Sequence, residues 1–131
     1  MNIVESPEIP NVKGIGNTPQ NLGRVIIDVP TAGYVVLTLA AYVVTFGDQT
    51  SCSIGLGTTD SDFDLHVTVV GVYDGSGTQR RVFSAASHAV VSVLPGSHTF
   101  YANSQKSTVF DLHDVNVGDI SLTAIFYSYE N

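Results

Sequence analysis

The stretch from Gly33 to Phe46 limits what this chain can become more than any other. It reads Gly-Tyr-Val-Val-Leu-Thr-Leu-Ala-Ala-Tyr-Val-Val-Thr-Phe. Its β-branched and aromatic content favours an extended strand, whose side chains alternate between two faces. One face then carries Tyr34, Val36, Thr38, Ala40, Tyr42 and Val44, and the other Val35, Leu37, Leu39, Ala41, Val43 and Thr45. A strand with one wet face alternates apolar with polar residues. Here neither face is polar, so both need cover. One is expected to fill the core of the domain and the other to meet a second copy of the same chain.

The charge balance points the same way. Charged residues are 13% of the chain and hydrophobic residues 44%, against a usual charged share of about 25%. So few charges do not cover the surface of a lone subunit. No apolar run approaches the roughly 20 residues of a membrane-spanning helix, so no membrane span is expected. Net charge is -7, and the basic residues are Lys13, Arg24, Arg80, Arg81 and Lys106. Only Arg80 and Arg81 are adjacent, too few for the clustered phosphate contacts that nucleic-acid binding requires. Cys52 is the single cysteine, which excludes an intrachain disulfide and a cysteine-based zinc site. It alternates with Ile54 and Leu56 and reads as a small buried hydrophobe. Residues 1–20 carry no charged-then-apolar signal pattern.

A run of 131 residues suits one domain. Residues 1–23 hold Pro7, Pro10 and Pro19 with several glycines. They read as an extended arm, with an edge strand near Ile3 and Val4. Residues 24–131 read as the folded domain. Strand patterns run from Arg24 to Val29, Gly33 to Phe46, Thr50 to Gly57 and Leu65 to Tyr73. They continue from Thr78 to Ser84, His88 to Leu94, Ser97 to Lys106, Val109 to His113 and Ile120 to Tyr129. Turn chemistry separates them at Gly47-Asp48, Asp74-Gly-Ser-Gly77 and Pro95-Gly96. Short strands at this spacing, with no helical period, predict an all-β sandwich or barrel. The last strand, like the central one, is apolar on both faces.

Three segments carry a family resemblance. Val29-Pro30-Thr-Ala-Gly33-Tyr34-Val-Val resembles the lead-in to a long strand in the tumour necrosis factor and complement globular-head superfamily. Ser87-His-Ala-Val-Val-Ser-Val-Leu-Pro95-Gly96 is similar to that family's apolar strand closed by a glycine turn, with Thr99-Phe-Tyr-Ala102 following. Ile120-Ser-Leu-Thr-Ala-Ile-Phe126 resembles its C-terminal strand. The resemblance implies a ten-stranded jelly-roll β-sandwich that forms a three-fold homotrimer. It places the long central strand and the last strand in the sheet that trimerises, and these are the two strands apolar on both faces. The aromatic residues expected at the trimer interface are Tyr34, Tyr42, Tyr101, Phe126, Tyr127 and Tyr129.

Chemistry-bearing motifs are sparse. Asp60-Ser-Asp62-Phe-Asp64 sets three carboxylates at alternating positions. Their mutual repulsion would be relieved by a hard cation with oxygen ligands, so calcium is the metal to expect at Asp60, Asp62 and Asp64. Asp111, Asp114, Asn116 and Asp119 make a second acidic loop. Neither loop has the glycine and glutamate spacing of an EF-hand. His66, His88, His98 and His113 are scattered without His-x-His spacing and read as hydrogen-bonded structural residues. No nucleophile elbow, phosphate loop or dinucleotide fingerprint is present. The expected function is therefore non-enzymatic: a secreted or surface-associated trimeric head that binds a protein or glycan. The alternative is a carbohydrate-binding module or a phage or virion structural protein, since jelly rolls serve both.

Overall fold

The structure is a computed structural model, and it describes residues 2–5, 14–46, 50–72, 80–106 and 115–129. The described residues form eight strands: β1 (Asn2–Glu5), β2 (Gln20–Val29), β3 (Gly33–Phe46), β4 (Thr50–Gly57), β5 (His66–Val72), β6 (Arg80–Val93), β7 (Gly96–Lys106) and β8 (Val115–Ser128). They make two four-stranded antiparallel sheets, ordered β1-β8-β3-β6 and β2-β7-β4-β5. Successive strands change sheets at every connection except the β4–β5 hairpin. This winding gives a double-sheet jelly roll, the form of sandwich that the family resemblance implies.

β3 is paired along its whole length on one side, from Gly33 with Val93 to Phe46 with Arg80 of β6. On the other side it pairs with β8, from Gly33 with Ser128 to Thr45 with Val115. Its odd-numbered side chains turn inward, and Val35, Leu37, Leu39 and Val43 are all 0% exposed. Leu122, Ala124 and Phe126 of β8 join them, as do Val25, Ile27, Ile54, Leu56 and Phe100 from the opposing sheet. Fully burying one such aliphatic side chain stabilises the fold by about 1.5–3 kcal/mol. Cys52 is fully buried, with its Sγ 3.0 Å from Ser104 Oγ, and burial pushes the thiol pKa up. That is the environment of a structural cysteine rather than a reactive one.

Two glycines are set by this geometry. A Cβ on Gly33 would strike the Tyr127 carbonyl and the Phe126 ring, so the central strand starts at a residue without a side chain. Gly96 has φ +134°, a conformation L side chains rarely adopt, and it follows Pro95 in the turn between β6 and β7.

The strand pattern differs from expectation in three places. The segments Thr78 to Ser84 and His88 to Leu94 are not two strands. From Arg80 onward they are one strand, because inward Ala85 and Ser87 keep the alternation through a stretch of small residues. β8 starts at Val115, five residues before Ile120, and Val115 and Val117 are buried. β2 starts at Gln20 rather than Arg24, with a register shift between Asn21 and Gly23. The strand expected at Val109 to His113 and the turns at Gly47-Asp48 and Asp74 to Gly77 lie outside the described residues.

Replacing Leu39 by alanine empties space under the middle of β3, where collapse is blocked by two paired neighbours. Urea unfolding is expected to show a loss of about 2–5 kcal/mol. A change below 0.5 kcal/mol would contradict this placement of the core.

Candidate functional site

Even-numbered side chains of β3 point away from the core, and the register carries that polarity across the sheet. Tyr34 stands between Tyr127 of β8 and Ser92 of β6. Val36 stands between Ile125 and Val90, Thr38 between Thr123 and His88, and Ala40 between Ser121 and Ala86. Ile3 and Glu5 of β1 extend the surface beyond Ile125 and Thr123. Several of these groups are open to solvent although apolar: Ile3 is 59% exposed, Val82 54% and Val90 66%. Among the described residues the charged side chains on this face are Glu5 on β1 and Arg80 at the start of β6, at the sheet's edges, and Asp119 on β8. This outer face is poor in charge and leaves several apolar side chains open to solvent.

One end of the face is aromatic. The Tyr34 and Tyr127 rings are stacked with centroids 5.2 Å apart, and Tyr129 tilts against Tyr34 at 6.1 Å. Tyr129 is tied down by its hydroxyl, 3.1 Å from Ser92 Oγ, and by its backbone N–H donating to the Ala32 carbonyl. The other end is shallow. Ala40, Tyr42, Ser84, Ala86 and Asp119 border a depression of about 420 Å³. It forms where the β3–β8 register shifts between Ala40 and Tyr42. Asp119 sits at that bulge with φ +48°, in the left-handed region that aspartate tolerates better than most residues.

The candidate aromatics therefore divide. Tyr34, Tyr42, Tyr127 and Tyr129 lie on this one sheet. Phe126 does not share the face: β8 alternation turns it inward, where it is 3% exposed and packed against Gly33. Tyr101 belongs to β7 in the opposite sheet, paired with Arg24 and Gly57.

The acidic motif is used locally. Asp64 accepts from the Thr58 hydroxyl at 2.6 Å and from the Thr58 N–H at 2.8 Å. The Thr58 hydroxyl bond holds the Asp64 carboxyl below its usual range, against a smaller opposing effect of burial. Asp62 accepts from the Thr59 hydroxyl at 2.8 Å, and Asp60 is exposed. Beneath them the fully buried Asn103 donates to the carbonyls of Thr59 and Asp62 at 2.9 and 2.7 Å, and accepts from Asn21. The 58–64 loop thus folds back over β4, where Gly57 leaves room for the loop backbone at Asp62 and Gly55 for the β5 backbone at His66 and Val67 and for the Phe63 ring. Among the described residues no three His, Cys, Asp or Glu side chains gather as a metal-binding group. Asp111 and Asp114 lie outside the described residues, and Asn116 accepts from the Gly14 N–H. Sequence reasoning missed this latch. Its signal was two glycines inside a strand pattern, which mark close backbone approach.

The histidines follow the same rule in part. His98 is 2.6 Å from the Leu94 carbonyl through Nε2. His66 bonds through Nδ1 to Ser87, and its ring stacks on His88 at 5.5 Å. His113 lies outside the described residues.

An all-β double sheet wound in this order defines a jelly-roll domain. No protein-family model matches the chain, and there is no significant match among curated proteins. Among solved structures it is similar to Eiger TNF from S. frugiperda, with a TM-score of 0.57 and 10% identity over 98% of this chain and 94% of that one. It is also similar to the EclA C-terminal domain, a sugar-binding protein, at a TM-score of 0.45, 13% identity and coverage of 92% and 76%. A third likeness is to the C-terminal CBM6 of LamC from Zobellia galactanivorans, at a TM-score of 0.36, 16% identity and coverage of 94% and 98%. The last two are too distant to carry an argument. The first shows the fold: this chain is a tumour-necrosis-factor-like jelly roll.

Asn103→Ala leaves the Thr59 and Asp62 carbonyls without their donor. The expected cost is about 1–3 kcal/mol in urea unfolding, with faster cleavage between residues 58 and 64 in limited proteolysis. Because the Asp64 carboxyl is held low, its contribution to stability is present above the unfolded value of about 3.9. It is lost as pH falls through the folded value. Asp64→Asn should therefore flatten the acid limb of a melting-temperature profile and leave the neutral limb parallel to wild type.

Proposed function

We propose that this chain is a non-enzymatic binding or scaffold domain that works as a homotrimer, outside the cell or on a surface. The observation that carries it is the charge-poor outer face of the β1-β8-β3-β6 sheet, with exposed Ile3, Val82 and Val90. Four strands about 4.8 Å apart, up to 14 residues long at roughly 3.3 Å each, present on the order of 800 Å². That is about what each partner contributes to a stable protein–protein interface. Burying its apolar part contributes about 25 cal/mol per Å², less the cost of association.

A cyclic assembly needs two different complementary patches on each copy. The sheet face supplies one. The opposite sheet supplies another candidate on β5, where Val67 is 46% exposed and Val69 58%. The fold shared with Eiger TNF and the sequence resemblance favour three as the number of copies. The unknown partner, protein or glycan, then meets polar loops, since the sheet is occupied by self-contact. Enzyme chemistry has little to work with. The hydroxyl nearest an imidazole is Ser87 beside His66, and Ser87 is 1% exposed, out of reach of a substrate.

The second reading is a carbohydrate-binding surface. It is favoured by the stacked tyrosines, of which Tyr127 is 37% and Tyr129 60% exposed, next to the Ser92 hydroxyl. In that case the chain stays single and Tyr129→Ala abolishes retention on immobilised polysaccharide.

Sedimentation equilibrium is expected to return three times the chain mass. Val90→Arg should weaken the trimer at least tenfold. Val90 is 66% exposed in the single chain, so unfolding free energy should move by less than about 0.5 kcal/mol. A wild-type protein that sediments as one chain at micromolar concentration would sink the trimer.

A further inference from the structure

We infer that assembly through this sheet is switched by protonation of His88, so that the trimer holds at neutral pH and comes apart in mild acid. This rests on the trimer described above and adds a control to the same face.

His88 lies midway along β6, directly across from Thr38 of β3, on the outward side of the sheet. It is exposed in the single chain, so the neutral and charged rings are both solvated there. Inside an interface made of Val36, Thr38, Ala40 and their neighbours, only the neutral ring is tolerated, because burying an unpaired charge is costly. Two carboxylates share this face: Glu5, three strands away at the β1 end of the same row, and exposed Asp119 at the β8 bulge, which borders the depression with Ala86. Opposite it on β3 stands Thr38, and beyond that on β8 stands Thr123. β5 carries no acidic residue. On β6 itself the charged residues are Arg80 and Arg81, at the far end. The nearest acids in sequence to the β5 side are Asp60, Asp62 and Asp64. Of these, Asp62 is bonded to Thr59 and Asp64 to Thr58.

The group that does face His88 is another imidazole. His66, at the start of β5, stacks on it with ring centroids 5.5 Å apart and planes 25° from parallel. His66 cannot easily swing away. Its Nδ1 is bonded to the buried Ser87 hydroxyl, and its backbone is paired with Leu56 of β4. Ser87 and His88 are consecutive on β6, so one strand anchors one ring and presents the other. Protonating both rings sets two like charges against each other where a neighbouring copy would exclude the water that screens them. Histidine is the side chain whose charge ordinarily changes between about pH 5 and 8.

The sign follows from the form that assembly prefers. The assembled state favours neutral His88, so the trimer has full strength above the ordinary imidazole range and loses it as pH falls through and below that range. Lowering pH from 7.5 to 5 is expected to weaken association by about tenfold or more per chain. Free carboxylates titrate near 4, about a unit below this window.

The test is sedimentation equilibrium of the full chain at pH 7.5 and pH 5.0, with far-UV circular dichroism on the same samples. Support requires wild type that is trimeric at pH 7.5 and single at pH 5.0 with an unchanged spectrum. It also requires His88→Gln to be trimeric at both. His66→Gln should remain acid-sensitive, with its midpoint moved to lower pH. If His88→Gln does not fold, His88→Asn is measured in its place. Wild type trimeric at both pH values overturns the switch and leaves the trimer standing. A single chain at pH 7.5 overturns both. Acid dissociation that survives in His88→Gln, or loss of the β spectrum at pH 5.0, assigns the effect to another group or to unfolding and also overturns it.

Discussion

The pairing of β3 between β6 and β8 is the interaction on which the rest of the structure depends. A strand hydrogen-bonded on both sides has no freedom to slide, because a slip of one residue would turn every inward side chain outward. With register fixed from Gly33 to Phe46, the positions of Leu37 and Leu39 in the core and of Val36 and Thr38 on the surface follow together. The exception is the shift between Ala40 and Tyr42. The extra residue of β8 is absorbed there by Asp119 in a left-handed conformation. The shift lets β8 keep Val115 and Val117 inward on one side of the bulge and Leu122 and Ala124 inward on the other.

The few charges are distributed unevenly, and the distribution has physical consequences. Arg24 and Asp28 lie on β2 in the opposite sheet, and three carboxylates crowd the 58–64 loop. The central rows of the β3 face are left mostly with hydroxyls, small side chains and aliphatics, together with His88 and, at the β8 bulge, Asp119. A net charge of -7 keeps copies apart at long range. At close range the charge-poor face offers little local repulsion to resist contact. Specific assembly is favoured by this combination, because approach in other orientations brings acidic loops together.

Much of the fold was legible because it rests on alternation. The β3 pattern announced a long strand apolar on both faces, and Pro95-Gly96 announced its turn, with Gly96 at φ +134°. What alternation does not encode is which sheet a strand joins. Tyr101 and Tyr127 look alike in sequence, yet β7 and β8 lie in different sheets, and only the winding order separates them. Phe126 was misread for a smaller reason: on a strand apolar on both faces, nothing local says which face is the core. Gly33 settles it, since the space its missing side chain leaves is filled by the Phe126 ring. The Asp60 to Asp64 motif was ambiguous in the same way. Carboxylates in a loop serve hydroxyls and backbone N–H groups as readily as metal ions, and Thr58 and Thr59 are close enough to claim them.

The two faces of β3 also separate folding from assembly. In the single chain the inner face is already closed, with Val35, Leu37, Leu39, Val43 and Leu122 all at or below 1% exposure. The core therefore needs nothing from a neighbour, unlike obligate oligomers whose subunits share one core. Contact between copies adds to a domain that is complete without it. Losing that contact returns the outer face to water and leaves the sandwich intact. A face of this kind can be tuned by one residue at a time, because β6 is an edge strand whose outward side chains bear little of the fold's stability. Val82, Ala86, His88 and Val90 are all exposed, and in the proposed trimer their chemistry would set how tightly copies hold and under what conditions they part.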